Sequence, residues 1–170
     1  MAIAPRTVYD VPDLGVSVEV LETAETTGGE AVEFEVRGRP RGVISMPHIH
    51  GVSSERHAVL EGELRLSIGR RRYRLKPGQA MTVPAGTRHR QRAGREPHRV
   101  RVRVEPAGDF AEFIERLDVL GKAGDYDRFG QIKPVAGARF IRDFGEGNRL
   151  AFVPLRAQQA LGRMLLRGRD

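Results

Sequence analysis

The chain has 170 residues, no cysteine and a formal net charge of +7. That length suits one domain with a sizeable core rather than two, and the missing cysteine excludes disulfides, thiolate metal sites and cysteine nucleophiles together. Only Lys76, Lys122 and Lys133 are lysines among the 29 basic residues. An arginine excess beside plentiful Ala, Gly and Val is what GC-rich coding produces on a solvated surface. With no helix-turn-helix, zinc-finger or RNP motif present, no specific nucleic-acid partner is expected. The first ten residues lack a basic stretch followed by an apolar core, and no later run approaches the length of a membrane span, so the expectation is a soluble cytoplasmic protein without membrane contact.

Segments with two-residue alternation or β-branched enrichment follow one another from Val16 to Leu21, Ala31 to Val36, Val43 to Met46, His57 to Leu60, Leu64 to Ile68, Tyr73 to Leu75, Ala80 to Val83, Thr87 to Arg92 and Arg99 to Glu105. Turn-prone residues separate them, including Gly69-Arg70 and Lys76-Pro77-Gly78. Many short strands at regular spacing predict an antiparallel sandwich or barrel. After Pro106 the period lengthens to about 3.6. Asp109 and Glu112 resemble a capping box, and Phe110, Phe113, Ile114, Leu117 and Leu120 make one apolar stripe ending at Gly121. A second helix is expected from Pro134 to Phe144, burying Phe140, Ile141 and Phe144 and stopping at Gly145. A third is expected from Pro154 to Arg167, with Ala157, Leu161, Met164 and Leu165 on one face and Gly168 after it. The glycines between Gly121 and Gly147 read as inter-helix connections. The chain thus divides into strands over 1–106 and a helical extension over 107–170, packed on the barrel or on a partner subunit.

Two clusters carry chemistry: Gly42-x5-His48-x-His50-x4-Glu55-x6-Gly62 and Gly78-x5-Pro84-x-Gly86-x2-His89. They gather three of the five histidines. On a strand, His48 and His50 point the same way and can bind one ion. Glu55 has the opposite parity, and the small residues Gly51, Ser53 and Ser54 supply a break that returns its carboxylate to the histidines. His89 arrives from a second segment after the Pro84-Ala85-Gly86 turn. Without a cation, three imidazoles and a carboxylate would converge inside a small barrel with a buried charge uncompensated, at a cost of several kcal/mol. A nitrogen and oxygen donor set suits Fe, Mn, Ni, Cu or Zn and does not choose among them.

These two segments resemble the paired motifs of the cupin superfamily. The first matches at every fixed position, and the second departs only at Ala93, where cupins often carry asparagine and where no metal ligand lies. The resemblance spans Gly42 to Ala93. It implies a mainly β fold, an antiparallel double-stranded β-helix or jelly-roll barrel followed here by C-terminal α-helices, with one divalent metal on His48, His50, Glu55 and His89 and a homodimeric assembly. It does not fix a reaction, because cupins include dioxygenases, isomerases, decarboxylases and non-catalytic binding proteins.

If His89 faces inward, Gln91 and Ala93 share its side and Arg88, Arg90 and Arg92 point out. The same parity places Leu64, Leu66, Tyr73, Leu75, Val100, Val102 and Val104 inside, each opposed by outward arginines. Such an interior suits a small, largely apolar organic molecule. His57 shares the parity of Glu55, and two readings stand for it: general base or partner to the ligands, and packing beneath the site. His98, alone on its strand, reads as a hydrogen-bonded core or surface residue. A mononuclear non-haem metal enzyme, dioxygenase-like or an isomerase or decarboxylase, is the leading expectation; a non-catalytic small-molecule binding or sensing cupin is the alternative. A 2-oxoglutarate oxygenase would need an acid at His50, and the serines sit in no nucleophile elbow.

Overall fold

The computed structural model describes residues 4–11, 15–40, 47–127, 132–144, 147–151 and 154–166. Its strands are β1 (Val8–Val11), β2 (Val16–Glu22), β3 (Val32–Gly38), β4 (His48–His50), β5 (Ser54–Glu61), β6 (Leu64–Ile68), β7 (Arg71–Leu75), β8 (Ala80–Val83), β9 (His89–Ala93) and β10 (His98–Glu105). They are followed by helix α1 (Phe110–Lys122), helix α2 (Pro134–Phe144), strand β11 (Asn148–Leu150) and helix α3 (Leu155–Leu166). Two antiparallel sheets result, one ordered β1-β2-β3-β10-β5-β8 and the other β11-β4-β9-β6-β7. This is the mainly β jelly roll with C-terminal helices that the alternation and the motifs imply. The expected strand from Val43 to Met46, the first motif glycine Gly42 and the helix-stop residues Gly145 and Gly168 lie outside the described residues. Strands β1 and β11 went unforeseen.

Alternation dictates what lies between the sheets. In β10, Val100, Val102 and Val104 are 2%, 1% and 0% exposed while Arg99, Arg101 and Arg103 face outward. Leu64, Leu66, Leu75, Val20, Val32 and Val59 join them in one cluster, each stabilising the fold by roughly 1.5–3 kcal/mol relative to exposure. The outward arginines of the six-stranded sheet meet glutamates across the strands. Arg101 lies 2.7 Å from Glu35, Arg99 2.9 Å from Glu61, Arg103 2.9 Å from Glu22 and Arg37 3.3 Å from Glu19. Burial alone would raise the Glu35 carboxyl, but hydrogen bonding and charge from Arg101, with Arg99 and Arg37, hold it below its ordinary value.

Helix α1 closes one side of the core. The Phe110 ring stacks on Phe34 with centroids 5.6 Å apart, and Phe110, Ala111 and Ile114 belong to the same cluster as the strand valines. Further along, Leu120 joins Val11, Tyr126 and Ala136 in a second small core. Asp109 precedes the helix without a side-chain capping bond. Its φ of −94° and ψ of 19° are not the extended conformation from which a capping side chain folds back, so the expected capping box does not form.

In α2, Ala136, Ala138 and Phe144 are buried, and Phe140 and Ile141 are half-buried. Helix α3 differs more from expectation. It buries Gln158, Gly162 and Leu166, whereas Leu161 and Met164 are 50% and 62% exposed. Close approach to α2 explains the rotation: the Ala138 carbonyl passes 3.5 Å from where a Gly162 side chain would begin. Gln158 binds the backbone of β11 at both polar groups of Leu150, donating to its carbonyl at 2.9 Å and accepting from its N–H at 3.3 Å. Backbone satisfaction and small size outweigh apolarity in choosing the inner face.

Two residues at the end of β5 and the start of β10 lock together. Gly62 has φ +72°, and a Cβ there would sit 2.3 Å from the Pro97 carbonyl oxygen. His98 is 3% exposed, and neither ring nitrogen has a hydrogen-bond partner among the described residues, contrary to the hydrogen-bonded role expected. Its ring lies so close to Gly38 that a Cβ on that glycine would meet Cε1 at 2.3 Å. The fit is steric, and burial lowers the His98 pKa.

Gly62→Ala combines a left-handed backbone penalty with overpacking and is expected to destabilise by about 2–5 kcal/mol, read from denaturant unfolding. For His98, the depressed folded pKa means that the unfolded chain binds the proton more readily. Stability is therefore full above the unfolded value of about 6.5 and declines as pH falls from there toward the folded pKa. Unfolding curves between pH 8 and 5 should show a steeper acid-side loss for the wild type than for His98→Gln; parallel profiles would count against a neutral, buried His98.

Candidate metal centre

Strand β4 is three residues long and carries His48 and His50 on one face. His48 stands directly opposite His89 in the antiparallel pairing of β4 with β9, so three imidazoles gather on the inner face of the five-stranded sheet. Glu55 comes from the other side. The chain leaves β4 at Gly51 and re-enters as β5 in the six-stranded sheet, where Glu55 pairs with Val83 and Val104. The break at Gly51 to Ser54 therefore does more than reset a register, since it carries the strand across the barrel. Gly51 N–H donates to Gly147 O at 2.8 Å and Ser53 Oγ donates to Pro106 O at 2.8 Å, which holds the crossing in place.

The side chains of His48, His50, Glu55 and His89 offer one ligand atom each, all within 4.8 Å of one another. Three of these residues are 2–3% exposed, and His48 is half-buried, so the cluster reaches solvent on the His48 side. His89 Nε2 lies 2.8 Å from Glu55 Oε2, His50 Nε2 lies 3.4 Å from the same oxygen, and His48 Nε2 and His50 Nε2 are 3.1 Å apart.

Hydrogen bonding at the far side of each ring decides what these nitrogens present. His89 Nδ1 sits 2.9 Å from the Thr87 carbonyl oxygen, which can only accept, so Nδ1 carries the proton. His50 Nδ1 is hydrogen-bonded to Asn148 Oδ1 of β11. In the neutral rings both Nε2 lone pairs then face a carboxylate, which is stable only with a proton or a cation between them. Burial would lower the His89 pKa, but its hydrogen bond to Glu55 and that charge raise it. Burial would raise the Glu55 carboxyl, yet the charge of His57 and hydrogen bonds from His50, His57 and His89 hold it well below the ordinary carboxylate range. A site that keeps its acid ionised and aims imidazole lone pairs at it has the donor set a divalent cation takes.

His57 is fully buried. Its Nε2 lies 3.4 Å from Glu55 Oε2 and 3.4 Å from Gln91 Nε2, and its Nδ1 has no hydrogen-bond partner among the described residues. Gln91 donates to the other Glu55 oxygen at 3.2 Å. The Phe110 ring meets His50 edge-on with centroids 5.1 Å apart, so α1 walls the cluster. Asn148 is the participant that sequence reading missed. It stands alone in a three-residue strand between helices, 98 residues from its partner, and no period or motif marks it.

Residues 34–104 match the family model described as the cupin domain. No curated protein sequence matches the chain. Among solved structures, KdgF from Halomonas sp. superposes with a TM-score of 0.54 at 22% identity, covering 62% of this chain and 90% of that one. An RmlC-like cupin from Shewanella frigidimarina gives 0.52 at 17% identity over 62% and 88%. A predicted oxalate decarboxylase from Thermotoga maritima gives 0.50 at 16% identity over 54% and 80%. At these identities the structures share the fold. Together, the matched segment, the two-sheet barrel and the paired motifs make residues 34–104 similar to the cupin domain in sequence pattern and fold.

Proposed function

We propose that the protein binds one divalent transition metal, Fe, Mn, Ni, Cu or Zn, through His48, His50, Glu55 and His89, and that this centre acts on a small organic molecule within the barrel. The observation that carries the reading is the convergence of the four ligand atoms within 4.8 Å in a largely buried site. When bound, the metal would supply Lewis acidity, a template or redox capacity at the barrel interior. The chain's own residues do the rest. Thr87 O and Asn148 Oδ1 hold the Nδ1 protons of His89 and His50, and Gln91 and His57 keep the Glu55 carboxylate in place. Full burial behind Glu55 supports His57 as a positioning residue rather than a base in contact with substrate. A small organic molecule would approach from the half-buried His48 side.

Within this reading a mononuclear non-haem enzyme, dioxygenase-like or an isomerase or decarboxylase, is preferred because three nitrogens and one oxygen leave up to two positions on a six-coordinate ion. A binding or sensing cupin uses the same site without turnover. Incubating the Fe(II)-loaded protein with candidate small acids and aromatics, while following O2 uptake and product mass, separates them: an altered compound supports the enzyme, and a ligand recovered unchanged supports the sensor. A homodimer belongs to the proposal on the strength of the family.

Elemental analysis of protein grown in metal-supplemented medium is expected to give about one ion per chain and little in a His48→Ala plus His50→Ala double variant. Equal content in both would remove the centre. Asn148→Ala is expected to weaken Co(II) affinity about 10–100-fold, the range for partners that orient ligating histidines. The Co(II) absorption spectrum should also change in shape, which loss of fold alone does not produce.

A further inference from the structure

The two outer faces of the barrel treat their arginines differently. On the six-stranded sheet Arg37, Arg99, Arg101 and Arg103 each lie within ion-pair distance of a glutamate, and Arg56, opposite Arg103, is the exception. The outward residues of β6, β7 and β9 include Arg65, Arg72, Arg74, Arg90 and Arg92, and Arg88 immediately precedes β9. Among the described residues only Arg65 has an acidic partner, Glu63 at 2.7 Å. The registers place like charges side by side: Arg65 is paired with Arg74 on one flank and Arg92 on the other, and Ser67 lies between Arg72 and Arg90. Like charges directly opposed across strands destabilise a sheet. Their mutual effect is visible at Arg90, whose pKa is lowered by burial and by Arg92, Arg72 and Arg88. Codon bias can supply arginines; it does not explain why, among the described residues, Arg72, Arg74, Arg88, Arg90 and Arg92 have no ion pair while Arg37, Arg99, Arg101 and Arg103 each have one.

The spacing fits a polymer of phosphates. Neighbouring strands lie about 4.8 Å apart and alternate residues about 6.8 Å apart along each strand, so the guanidinium groups form a grid broader than one small anion. Guanidinium binds phosphate through paired N–H donors. Among the described residues the large exposed apolar side chains, Val8, Val52, Val119, Leu161 and Met164, all lie elsewhere, so the described part of this face has no anchor for a protein interface core or for lipid insertion. A second copy of the chain would bring arginine against arginine. The outward positions of β6, β7 and β9 include no aromatic side chain on which bases could stack.

We infer that the outer face of β6, β7 and β9 docks nucleic acid through its phosphates, without reading sequence. This goes beyond the metal centre and is independent of it. The test is fluorescence anisotropy of the full chain with two unrelated 20-base-pair duplexes between 50 and 200 mM NaCl. Both duplexes are expected to bind alike, with a log–log salt slope of about −3 to −5 for four or five neutralised phosphates. Arg72→Gln plus Arg90→Gln should weaken binding at least tenfold at 50 mM and flatten the slope by about 2. Arg156→Gln plus Arg163→Gln on α3 removes equal charge and should stay within twofold of wild type. The face variant should also melt at or above the wild-type temperature, because repulsion is relieved. Equal weakening by both variants, no binding at 50 mM, equally tight binding to poly-glutamate or to anionic phospholipid vesicles, or a lower melting temperature in the face variant would each overturn the inference.

Discussion

A carboxylate sealed inside an aliphatic barrel is the constraint around which this molecule is arranged. Glu55 cannot remain ionised among valines and leucines without compensation, and the surrounding structure supplies it from three directions. His50 and His89 reach it from the facing sheet, Gln91 donates to its second oxygen, and His57 closes the side away from solvent. The short β4 strand, the crossing at Gly51 to Ser54 and the direct pairing of His48 with His89 are the means by which two sheets deliver these groups to one point.

The alternation that fills the barrel also builds its two surfaces. Every inward valine of β10 commits the next residue to the outside, and that residue is charged each time: Arg101, Arg103 and Glu105. On the six-stranded sheet the outward glutamates of β2, β3 and β5 convert this obligation into a lattice of ion pairs. Exposed pairs of this type contribute little individually, so their value lies in neutralising the face more than in stabilising it. Among the described residues the outer rows of β6, β7 and β9 contain no acid, and apart from Arg65, which pairs with Glu63 in the preceding turn, their arginines have no ion pair.

Much of this was legible in the residue pattern because β structure writes burial at a period of two. Leu64, Leu66, Gln91, Ala93 and the three valines of β10 face inward as parity requires, and helix α2 spans Pro134–Phe144 as its period and flanking residues suggest. The cluster of His48, His50, Glu55 and His89 was legible from spacing, although the route taken by Glu55 was not, since parity along one strand says nothing about a change of sheet. Strand β11 was invisible because three residues carry no period. The α3 face was misread because apolarity was weighed alone, while Gln158 and Gly162 are buried for hydrogen bonding and close approach. His98 shows a different limit: its burial is decided by Gly38 and Gly62, far away in sequence, and nothing local records it.

The distance between Asn148 and His50 along the chain bears on the order in which the protein assembles. Strand β4 is flanked by β9 on one edge and β11 on the other, so the strand bearing two imidazoles acquires its second neighbour only after Leu150 has emerged during synthesis. Until then a nascent barrel holds β4 by one short pairing, with His50 free to turn its ring and no fixed tautomer. Chain order thus delays the finished cluster until β11 has been made, and before that the three imidazoles and Glu55 form a looser set.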